Sequence, residues 1–449
     1  MFRKVLIANR GEAALRILRA CHDLEVRTVA IHSTADADAM HVRLADESVC
    51  IGPADVQSSY LNVPAIITAA HVSGVDALHP GYGFLSENAD FAQIVALHDI
   101  TFIGPKAEHI SVMGDKVEAR RRMRALGVPV VPGAEGALSS LEELRAVAGE
   151  IGFPLIVKAA AGGGGRGMKV VETETELEGA WQLARAEALA GFGDDTVYAE
   201  RYLATPRHVE FQILADAHGN VMQLGERDCS VQRRHQKMVE EAPSPAIDAD
   251  ARRRVGDTIV AAVRELGYLG LGTVEMLYDD GEFYFIEMNT RLQVEHPVTE
   301  MVTGIDLVCE QLRVAAGEPV SFEPDAFTVT GHAIECRITA EDPETLTPQP
   351  GRADVYHAPS GPGVRVDSAM FGGSEVSPHY DSLIAKLIVH GRDRDEALRR
   401  LRRALREYAI DGLANTIPLH QRILEHPDFV AGEYDVHWLE REFMGRENP

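Results

Sequence analysis

The sequence GTVEMLYDDGEFYFIEMNTRLQVEHP, residues 272–297, predicts two short strands joined by a turn. Apolar and polar residues alternate on both sides of the turn residues 279–282, a pattern typical of a β-hairpin with one buried face. A hairpin centred on Gly281 places Tyr278 opposite Tyr284. The same register fixes which acidic side chains face each other.

Two glutamates are opposed in this register. Glu275 lies opposite Glu287, and Asn289 lies two residues further on, on the same side of the sheet. Opposed carboxylates repel unless a cation lies between them, and two carboxylates with an amide suit Mg²⁺ or Mn²⁺. A solvated acidic face is the alternative, and the spacing alone leaves both open. The other face is apolar and predicts packing on a core: Val274, Met276, Ile286 and Met288.

The composition is that of a soluble protein with several domains. The chain has 449 residues, 45% of them apolar and 25% charged, and its formal net charge is −25. This length predicts two to four domains. The acidic charge argues against a nucleic acid or an anionic membrane as the main partner. A phosphate-bearing ligand therefore needs a local cationic site.

Cysteine usage and the N-terminal sequence predict a cytoplasmic protein. The five cysteines lack CxxC spacing, which is typical of reduced thiols: Cys21, Cys50, Cys229, Cys309 and Cys336. The opening MFRKVLIANRG is too short and too charged for a signal peptide. No apolar run reaches the roughly 18 residues of a membrane span.

The N-terminal region predicts a parallel sheet. Strand patterns at 4–8 and 26–32 are joined by a helical pattern at 12–24, and residues 101–105 predict the last strand. The first turn holds one glycine and no GxGxxG motif, so it is a weak sign of dinucleotide binding. Residues 76–88, DALHPGYGFLSEN, suit a ligand-binding loop at the carboxyl edge of the sheet, although a tightly packed turn fits equally well.

A glycine-rich segment follows. Strand patterns at 155–159 and 168–171 enclose AGGGGRG at 161–167. A Rossmann fingerprint needs a helix after the glycines and a P-loop needs a closing GK[ST], so neither fits. A mobile flap whose amides close over phosphates is favoured over a disordered linker. Upstream, Asp115–Leu126 predicts a basic amphipathic helix with Lys116 at its start.

Charged residues concentrate in the middle of the chain. His208, Glu210 and Gln212 share one face of a predicted strand. Residues 226–241 then bring five cations together, which need internal carboxylates or, the favoured interpretation, an anionic ligand: Arg227, Arg233, Arg234, His235 and Lys237.

The residues after the hairpin extend this polar pattern. If extended, Arg291, Gln293 and Glu295 put a cation, an amide and a carboxylate on one face. A third unit follows, with two predicted strands and a charged helix: residues 333–338, 382–390 and 392–408.

Together these segments resemble the biotin carboxylase component of biotin-dependent carboxylases, which belongs to the ATP-grasp superfamily. Six motifs carry the resemblance, in the order HPGYGFLSENA, KAAAGGGGRGM, PRHVEFQ, ERDCSVQRRHQK, FIEMNTRLQVEHPVTE and AEDPE. It implies an α/β (α+β) protein in which an ATP-grasp fold lies between an N-terminal Rossmann-like domain and a C-terminal biotin carboxylase domain. The implied limits are 1–113, 114–330 with a mobile lid at about 131–203, and 331–446.

The resemblance also implies a reaction, the ATP- and bicarbonate-dependent carboxylation of biotin on a carrier protein. Bicarbonate attacks the γ-phosphate to give carboxyphosphate, which breaks down to CO₂ and phosphate. The phosphate deprotonates biotin, and the biotin enolate captures CO₂. Glu295 is the implied base for bicarbonate, and Arg337 is implied to stabilise the enolate.

The matching motif positions imply the remaining site residues. The implied catalytic residues are Glu295, Arg337, Lys237 and Arg291. Mg²⁺ or Mn²⁺ is assigned to Glu275, Glu287 and Asn289. Bicarbonate and biotin are assigned to Lys237, Arg291, Gln293, the Val294 backbone, Glu295, Arg337 and Tyr82. ATP is assigned to Lys116, Lys158, Gly162, Gly163, Gly164, Gly165, Glu200, Leu203, His208, Gln232, His235, Glu275 and Glu287.

The implied partners are a biotin carboxyl carrier protein, carboxyltransferase subunits and a second copy of the chain. A separate carrier is expected because the sequence ends at Pro449 without the Met-Lys-Met of a biotinyl domain. The implied whole is an acyl-CoA carboxylase. The alternatives are a pyruvate carboxylase subunit, another ATP-grasp carboxylate–amine ligase, and an inactive scaffold subunit, against which the intact residue set argues.

Overall fold

The apolar segments near the N-terminus form one parallel sheet, as their β-α-β pattern predicts. The computed structural model describes residues 1–160, 167–323 and 328–445, without the side chain of Phe192. The first elements are β1 Lys4–Ile7, α1 Gly11–Asp23, β2 Arg27–Ser33, α2 Met40–Leu44, β3 Glu47–Gly52, α3 Val63–Ser73, β4 Ala77–His79, α4 Ala89–Leu97, β5 Thr101–Phe102 and α5 Ala107–Gly114. The strand order is β3-β2-β1-β4-β5, with all neighbours parallel.

Strand β1 is buried on both faces. Val5, Leu6 and Ile7 have no exposed surface, because helix α1 covers one face of the sheet and α3 and α4 cover the other. Continuous apolar strands of this kind are typical of parallel sheets. The loop at 80–88 follows the carboxyl end of β4, and its Glu87 contacts Arg291.

A small antiparallel sheet holds the strands on either side of the glycine run. Its elements, with the helix before it, are α6 Lys116–Ala125, α7 Leu141–Ile151, β6 Leu155–Ala159, β7 Met168–Val171, α8 Leu177–Phe192 and β8 Val197–Arg201. The order is β7-β6-β8, and α7 and α8 share one core with it. Gly162, Gly163, Gly164 and Gly165 lie outside the described residues.

The largest sheet has eight strands and continues through the expected boundary at residue 331. Its elements and those around it are β9 Arg207–Ala215, β10 Val221–Arg233, β11 Gln236–Ala242, α9 Ala249–Glu265, β12 Gly270–Asp279, β13 Glu282–Asn289, α10 His296–Thr303, α11 Leu307–Ala315 and β14 His332–Thr339. The order is β13-β12-β9-β10-β11-β14, followed by two C-terminal strands at 383–391 and 364–368. Strand β14 and these two strands of the expected third unit therefore belong to the same sheet as the strands before residue 331, and its other strands form two small sheets of two strands each.

The C-terminal region completes that sheet and covers it. Its elements are β15 Gly351–Arg352, β16 Val355–His357, β17 Val364–Ser368, β18 Glu375–Val376, β19 Leu383–Gly391, α12 Arg394–Glu407, β20 Ala409–Asp411, α13 Ile417–Glu425, α14 Pro427–Ala431 and α15 Trp438–Phe443. Helix α12 packs its apolar side on β14 and β19, as its charged pattern predicts. Among the described residues, no helix combines the length and apolar character that crossing a bilayer requires.

The β12–β13 hairpin has the predicted register at the glutamates and a different one near its turn. Glu275 pairs with Glu287, but Tyr278 pairs with Phe283, so the predicted Tyr278–Tyr284 pair is wrong. The cause is a bulge at Ile286, which adds one residue to β13. It accompanies a two-residue turn at 280–281, where both residues have positive φ angles, 46° and 86°. Phe283 and Phe285 therefore join the core that the alternation had assigned to Ile286.

Candidate active site

Lys237, on β11, lies among three carboxylates. Its Nζ is 2.5 Å from Oε2 of Glu210, 3.0 Å from Oε1 of Glu275 and 2.6 Å from Oε1 of Glu295. Glu210 and Glu275 are directly paired on β9 and β12, so their side chains share one face of the sheet. Burial lowers the pKa of Lys237, but the three carboxylates raise it well above its ordinary value. The ammonium therefore stays charged, with its three N–H groups all donating.

Glu295 joins Lys237 to Arg337. Its second oxygen, Oε2, accepts a hydrogen bond of 2.9 Å from Nη2 of Arg337, on β14. Burial raises the pKa of Glu295, but the charges of Lys237 and Arg337 lower it well below its usual range. Glu295 is thus an ionised carboxylate at neutral pH, and it can accept a proton once a ligand draws these cations away.

Residues 290–295 are an irregular segment, so the extended conformation considered for them is not the one they adopt. Helix α10 begins immediately after it, at His296. The side chains of Arg291 and Gln293 nevertheless converge, because Nη1 of Arg291 donates to Oε1 of Gln293 at 2.8 Å. Nε2 of Gln293 donates in turn to Oε1 of Glu275 at 3.1 Å. The loop thus brings together groups that alternation along a strand was expected to align.

Glu87 completes this network from the N-terminal sheet. Its Oε2 accepts from Nε of Arg291 at 2.7 Å, and its Oε1 accepts from the backbone N–H of Thr290 at 3.1 Å. The sequence placed residue 87 in a possible ligand loop without giving this glutamate a role. Glu210 was likewise seen only as part of a strand face, although it is fully buried and contacts two cations, Arg227 and Lys237.

The candidate metal ligands lie at the end of the hairpin. Oε2 of Glu287 is 3.2 Å from Nζ of Lys116, and Oε2 of Glu275 is 3.0 Å from Nε2 of His208. Nδ2 of Asn289 donates to Oε1 of Glu275 at 2.8 Å. Each of the opposed carboxylates thus has its own nitrogen partner, which offsets their mutual repulsion. Two carboxylates and an amide on one side of the sheet are a donor set that fits Mg²⁺ or Mn²⁺.

Potential ligand atoms also cluster deeper in the site. Among the described residues, two groups of three side chains have ligand atoms within 4.8 Å of one another. One group is His208, Glu210 and Glu275, and the other is Glu210, Cys229 and Glu295. Glu287 belongs to neither group, and it faces Lys116 instead.

The residues assigned to ATP gather at the junction of the small sheet and the large one. Lys158 on β6 and Arg120 on α6 both pair with the carboxylate of Glu200 on β8, the latter at 2.8 Å between Nη1 and Oε2. Leu203 is buried just beyond β8. Arg120 was not singled out in the sequence, where it is one of several arginines of a basic helix.

The tip of the β10–β11 hairpin closes the same region. Gln232 is buried and pairs with Lys237, and the turn residue His235 has a φ of 65°. Burial lowers the pKa of His235, and the nearby charges of Lys158 and His208 lower it further. The structure thus places His235 near Lys158 and His208, and all three residues are assigned to ATP.

Two cations of the basic span, Lys237 and Arg227, bond to internal carboxylates. Arg227 has no exposed surface, and its Nε donates to Oε1 of Glu210 at 2.6 Å. Its Nη1 donates to Oε1 of Gln212 at 2.6 Å and to the hydroxyl of Thr299 at 2.9 Å. For Arg227 the favoured ligand interpretation is therefore wrong, and the internal-carboxylate alternative holds.

Tyr82 lies at the margin of the site. Its ring centre is 5.9 Å from Nζ of Lys386, and its backbone carbonyl accepts from Nδ2 of Asn9 at 2.8 Å. Lys386, which is fully buried, donates to the backbone carbonyl of Val294 at 3.0 Å. Tyr82 and Val294 are thereby linked through one lysine.

Three family models match the chain in succession. They are the biotin carboxylase N-terminal domain at residues 1–110, the ATP-binding domain of the carbamoyl-phosphate synthase L chain at 115–322 and the biotin carboxylase C-terminal domain at 335–441. The biotin carboxylase of Haemophilus influenzae is 58% identical over 442 residues, which are 98% of this chain and 99% of that protein.

Solved structures match equally completely. A complex of biotin carboxylase with β,γ-ATP from Campylobacter jejuni has a TM-score of 0.95 and 48% identity, over 98% of this chain and 99% of that one. The biotin carboxylase domain dimer of the Hydrogenobacter thermophilus 2-oxoglutarate carboxylase, with MgADP, ADP and bicarbonate, has a TM-score of 0.93 and 47% identity. It covers 98% of this chain and 97% of its own.

Proposed function

The chain belongs to the biotin carboxylase family, and we propose which of its side chains perform each step of the reaction. The protein is a ligase that carboxylates biotin with ATP and bicarbonate, and it uses Mg²⁺. The observation that carries the assignment is the position of Glu295, held between Lys237 and Arg337 at 2.6 and 2.9 Å.

In this proposal Glu295 takes the proton from bicarbonate. Arg291, Gln293 and the backbone N–H of Val294 hold the anion, and Arg291 supplies the positive charge. Arg291 already lies in the network that leads to Glu275, through Gln293. An anion held there competes for the cations that keep Glu295 ionised, which raises the pKa of Glu295 toward that of a working base.

Lys237 and Arg337 then act on two different anions, the phosphate and the biotin enolate. Lys237 is placed between the phosphate and bicarbonate sites, and its raised pKa keeps it cationic beside a phosphate. Arg337 stabilises the enolate oxygen of biotin, with Tyr82 near the biotin ring. A planar guanidinium held at two of its nitrogens is a fixed electrostatic partner of this kind.

The nucleotide lies on the other side of Glu275 in this proposal. Bound Mg²⁺ neutralises phosphate charge, and Glu275, Glu287 and Asn289 would hold it. Lys116, Lys158, His208, Gln232 and His235 bind the phosphates, and Glu200 and Leu203 reach the adenine. Gly162, Gly163, Gly164 and Gly165, assigned as a cover for the phosphates, lie outside the described residues.

We also propose the domain limits 1–113, 114–330 and 331–446, with a lid at about 131–203. The separate core of β6, β7, β8, α7 and α8 supports a lid that moves as one body. Because the eight-stranded sheet is unbroken, the proposed second and third domains share one sheet rather than meeting at a hinge.

The proposed assembly is a homodimer that works with a separate biotin carboxyl carrier protein and carboxyltransferase subunits in the cytoplasm. The Hydrogenobacter relative is a dimer, and the Haemophilus relative is matched over 99% of its length by this chain. The proposed acceptor is an acyl-CoA, as in the acyl-CoA carboxylase that the sequence motifs imply. Co-purification of acyl-CoA carboxyltransferase subunits and a mass twice the 49.0 kDa of one chain are the expected results.

The deciding experiment measures ADP release from ATP with and without bicarbonate and free biotin. The assignment requires bicarbonate dependence and stimulation by biotin. Turnover indifferent to both, but dependent on an amine, would instead identify another ATP-grasp carboxylate–amine ligase. Carboxylated biotin should be detected as a labile product of [¹⁴C]bicarbonate.

A further inference from the structure

Two buried glutamates near Arg337 lie opposite each other on neighbouring strands. Glu240 on β11 and Glu335 on β14 are directly paired, and neither has any exposed surface. Oε1 of Glu240 accepts from Nε of Arg337 at 2.6 Å. Oε2 of Glu240 and both oxygens of Glu335 are buried without a hydrogen-bond donor among the described residues. Neither residue was assigned a role above.

The two cations whose charges act on Glu335, Arg337 and Lys386, each have another anionic partner. The guanidinium of Arg337 bonds to Glu240 and Glu295, at 2.6 and 2.9 Å. Nζ of Lys386, on the other neighbouring strand, is 3.2 Å from Glu12. A buried carboxylate without a cation or a donor is strongly unfavourable, and such a group takes up a proton instead.

The charges around Glu335 also favour its protonated form. Burial and the neighbouring carboxylates of Glu240 and Glu295 raise the pKa of Glu335 well above its usual value, against the opposing charges of Lys386 and Arg337. Burial also raises the pKa of Glu240, but Arg337 bonds to it directly, so Glu240 is the member of the pair that keeps its charge.

We propose that Glu335 is a positioning residue for Arg337, a neutral carboxylic acid that donates its proton to Oε2 of Glu240. One proton then gives partners to two oxygens that otherwise have none. It leaves Oε1 of Glu240 charged and aimed at Nε of Arg337. The guanidinium is thereby fixed from behind, while Nη2 faces the site at Glu295. The effect on catalysis rests on the proposed role of Arg337, whereas the shared proton does not.

The first experiment tests the shared proton alone. Infrared spectra of ¹³C-glutamate-labelled protein should show the carbonyl stretch of a protonated carboxylic acid at neutral pH, absent in Glu335→Gln. A spectrum without that band, or a band unchanged by the substitution, would overturn the proposal whatever the enzyme's activity.

Stability gives a second readout with a defined sign. A carboxyl group whose pKa is higher in the folded protein than its unfolded value of about 4.3 stabilises the fold fully only below pH 4.3. This contribution is lost as the pH rises toward the folded pKa. The charged groups that act on Glu335 are Glu240, Lys386, Arg337 and Glu295. Glu335→Gln should therefore raise the denaturant midpoint at pH 8 and remove the release of about one proton on unfolding.

Glu241 provides a matched control on the same strand. It is also fully buried, but Arg394 and His332 bond to its carboxylate and lower its pKa despite the opposing effect of burial. Glu241→Gln should lower the midpoint, the opposite sign from Glu335→Gln. Destabilisation of both variants alike would mean that Glu335 is ionised and contradict the proposal.

The activity experiment separates biotin carboxylation from ATP cleavage. In Glu335→Gln the amide N–H replaces the acid proton, so the kcat for biotin-stimulated turnover should stay within about twofold of wild type. In Glu335→Ala it should fall about tenfold or more, with the KM for ATP unchanged. A Glu335→Gln variant as impaired as Glu335→Ala would refute the neutral acid. If infrared shows the shared proton but both variants are fully active, the proposed role of Arg337 is what fails.

Discussion

Nη2 of Arg337 lies 2.9 Å from Oε2 of Glu295. The guanidinium proposed to stabilise the enolate and the carboxylate proposed as the base are therefore each other's partner when no ligand is present. Each can act only when the other is paired differently. In the proposed reaction, transfer of the bicarbonate proton to Glu295 removes the charge paired with Nη2 of Arg337, which frees this end of the guanidinium for the second step.

Replacing the base should separate nucleotide binding from chemistry. We expect Glu295→Gln to lower bicarbonate-dependent ATP cleavage by about 10²- to 10⁴-fold, because the amide cannot accept the proton. The dissociation constant for ATP should change little, since Glu295 contacts Lys237 and Arg337 rather than the residues around Lys158. Steady-state rates and fluorescence titration measure the two effects. Glu265→Gln, exposed at the end of α9, serves as the control.

The hairpin supports a prediction about metal dependence. Glu287→Gln should raise the Mg²⁺ concentration for half-maximal activity at least about tenfold, because an amide is a weaker ligand and loses the pairing with Lys116. Glu282, exposed on the same strand, is the matched control and Glu282→Gln should leave the titration unchanged. A Mg²⁺ titration of Glu287→Gln that overlays wild type would remove Glu287 from the metal site.

The shape of the cation at residue 337 should matter as much as its charge. Arg337 uses Nε and Nη2 for different carboxylates, which a single ammonium cannot reproduce. We expect Arg337→Lys to lower biotin carboxylation about 10²-fold while bicarbonate-dependent ATP cleavage without biotin persists. Arg392→Lys, at an exposed arginine before α12, controls for the substitution. Equal loss of both activities would place Arg337 in bicarbonate activation instead.

Acid stability should depend on buried histidines. Burial lowers the pKa of His420 to about 4, although the hydrogen bond from its Nε2 to the carbonyl of Arg337, at 2.7 Å, acts to raise that pKa. The unfolded value is about 6.5, so this group's stabilisation is complete above pH 6.5 and is lost as pH falls toward 4.

His420→Gln keeps a donor for the same carbonyl and removes the titration. The fall in the free energy of unfolding between pH 7 and pH 4.5 should be smaller in this variant by roughly 2–3 kcal/mol, from 1.36 kcal/mol per pKa unit. Urea titrations across that range measure it. His379→Gln, at an exposed histidine, should reproduce the wild-type slope. Parallel slopes for all three proteins would contradict the burial argument.

The glycine run supports a kinetic prediction. The backbone N–H of Ala159 donates to the carbonyl of Gly167 at 2.9 Å, so the two residues that flank the glycine run lie next to each other. Deleting Gly163 and Gly164 should raise the KM for ATP several-fold if their amides close over the phosphates. Deleting Gly191, in the last turn of α8, tests for general damage to this small sheet. A normal KM with a reduced kcat would instead indicate an effect after nucleotide binding.

Features set by local spacing could be predicted from the sequence. The pairing of Glu275 with Glu287 follows from alternation around a glycine turn, and it holds in the structure. The β-α-β opening and the strand–glycine–strand order are likewise local patterns. Alternation does not reveal a bulge, because one extra residue such as Ile286 leaves the pattern on each side of it intact. The bulge is favoured by the burial of Phe283 and Phe285, which depends on the rest of the core.

Contacts between distant segments could not be derived in the same way. Glu87 meets Arg291 across two sheets, and β11 meets β14 within one sheet, although long stretches of chain separate each pair. Periodicity states which face a side chain occupies, but not which strand becomes its neighbour. The proposed roles of Glu240 and Glu335 therefore have no sequence signature, since Glu335 is one glutamate of a predicted strand and Glu240 lies in a span noted only for its cations.

The join between β11 and β14 also has a consequence for synthesis of the chain on the ribosome. Strand β11 remains an open edge until residues 332–339 have emerged, and β14 remains one until residues 383–391 follow. A truncated product that stops between these strands would expose a ladder of unpaired amides, which other copies can extend. Heterologous production of the ATP-binding segment alone should therefore give aggregates, whereas the chain carried through β19 should remain in solution.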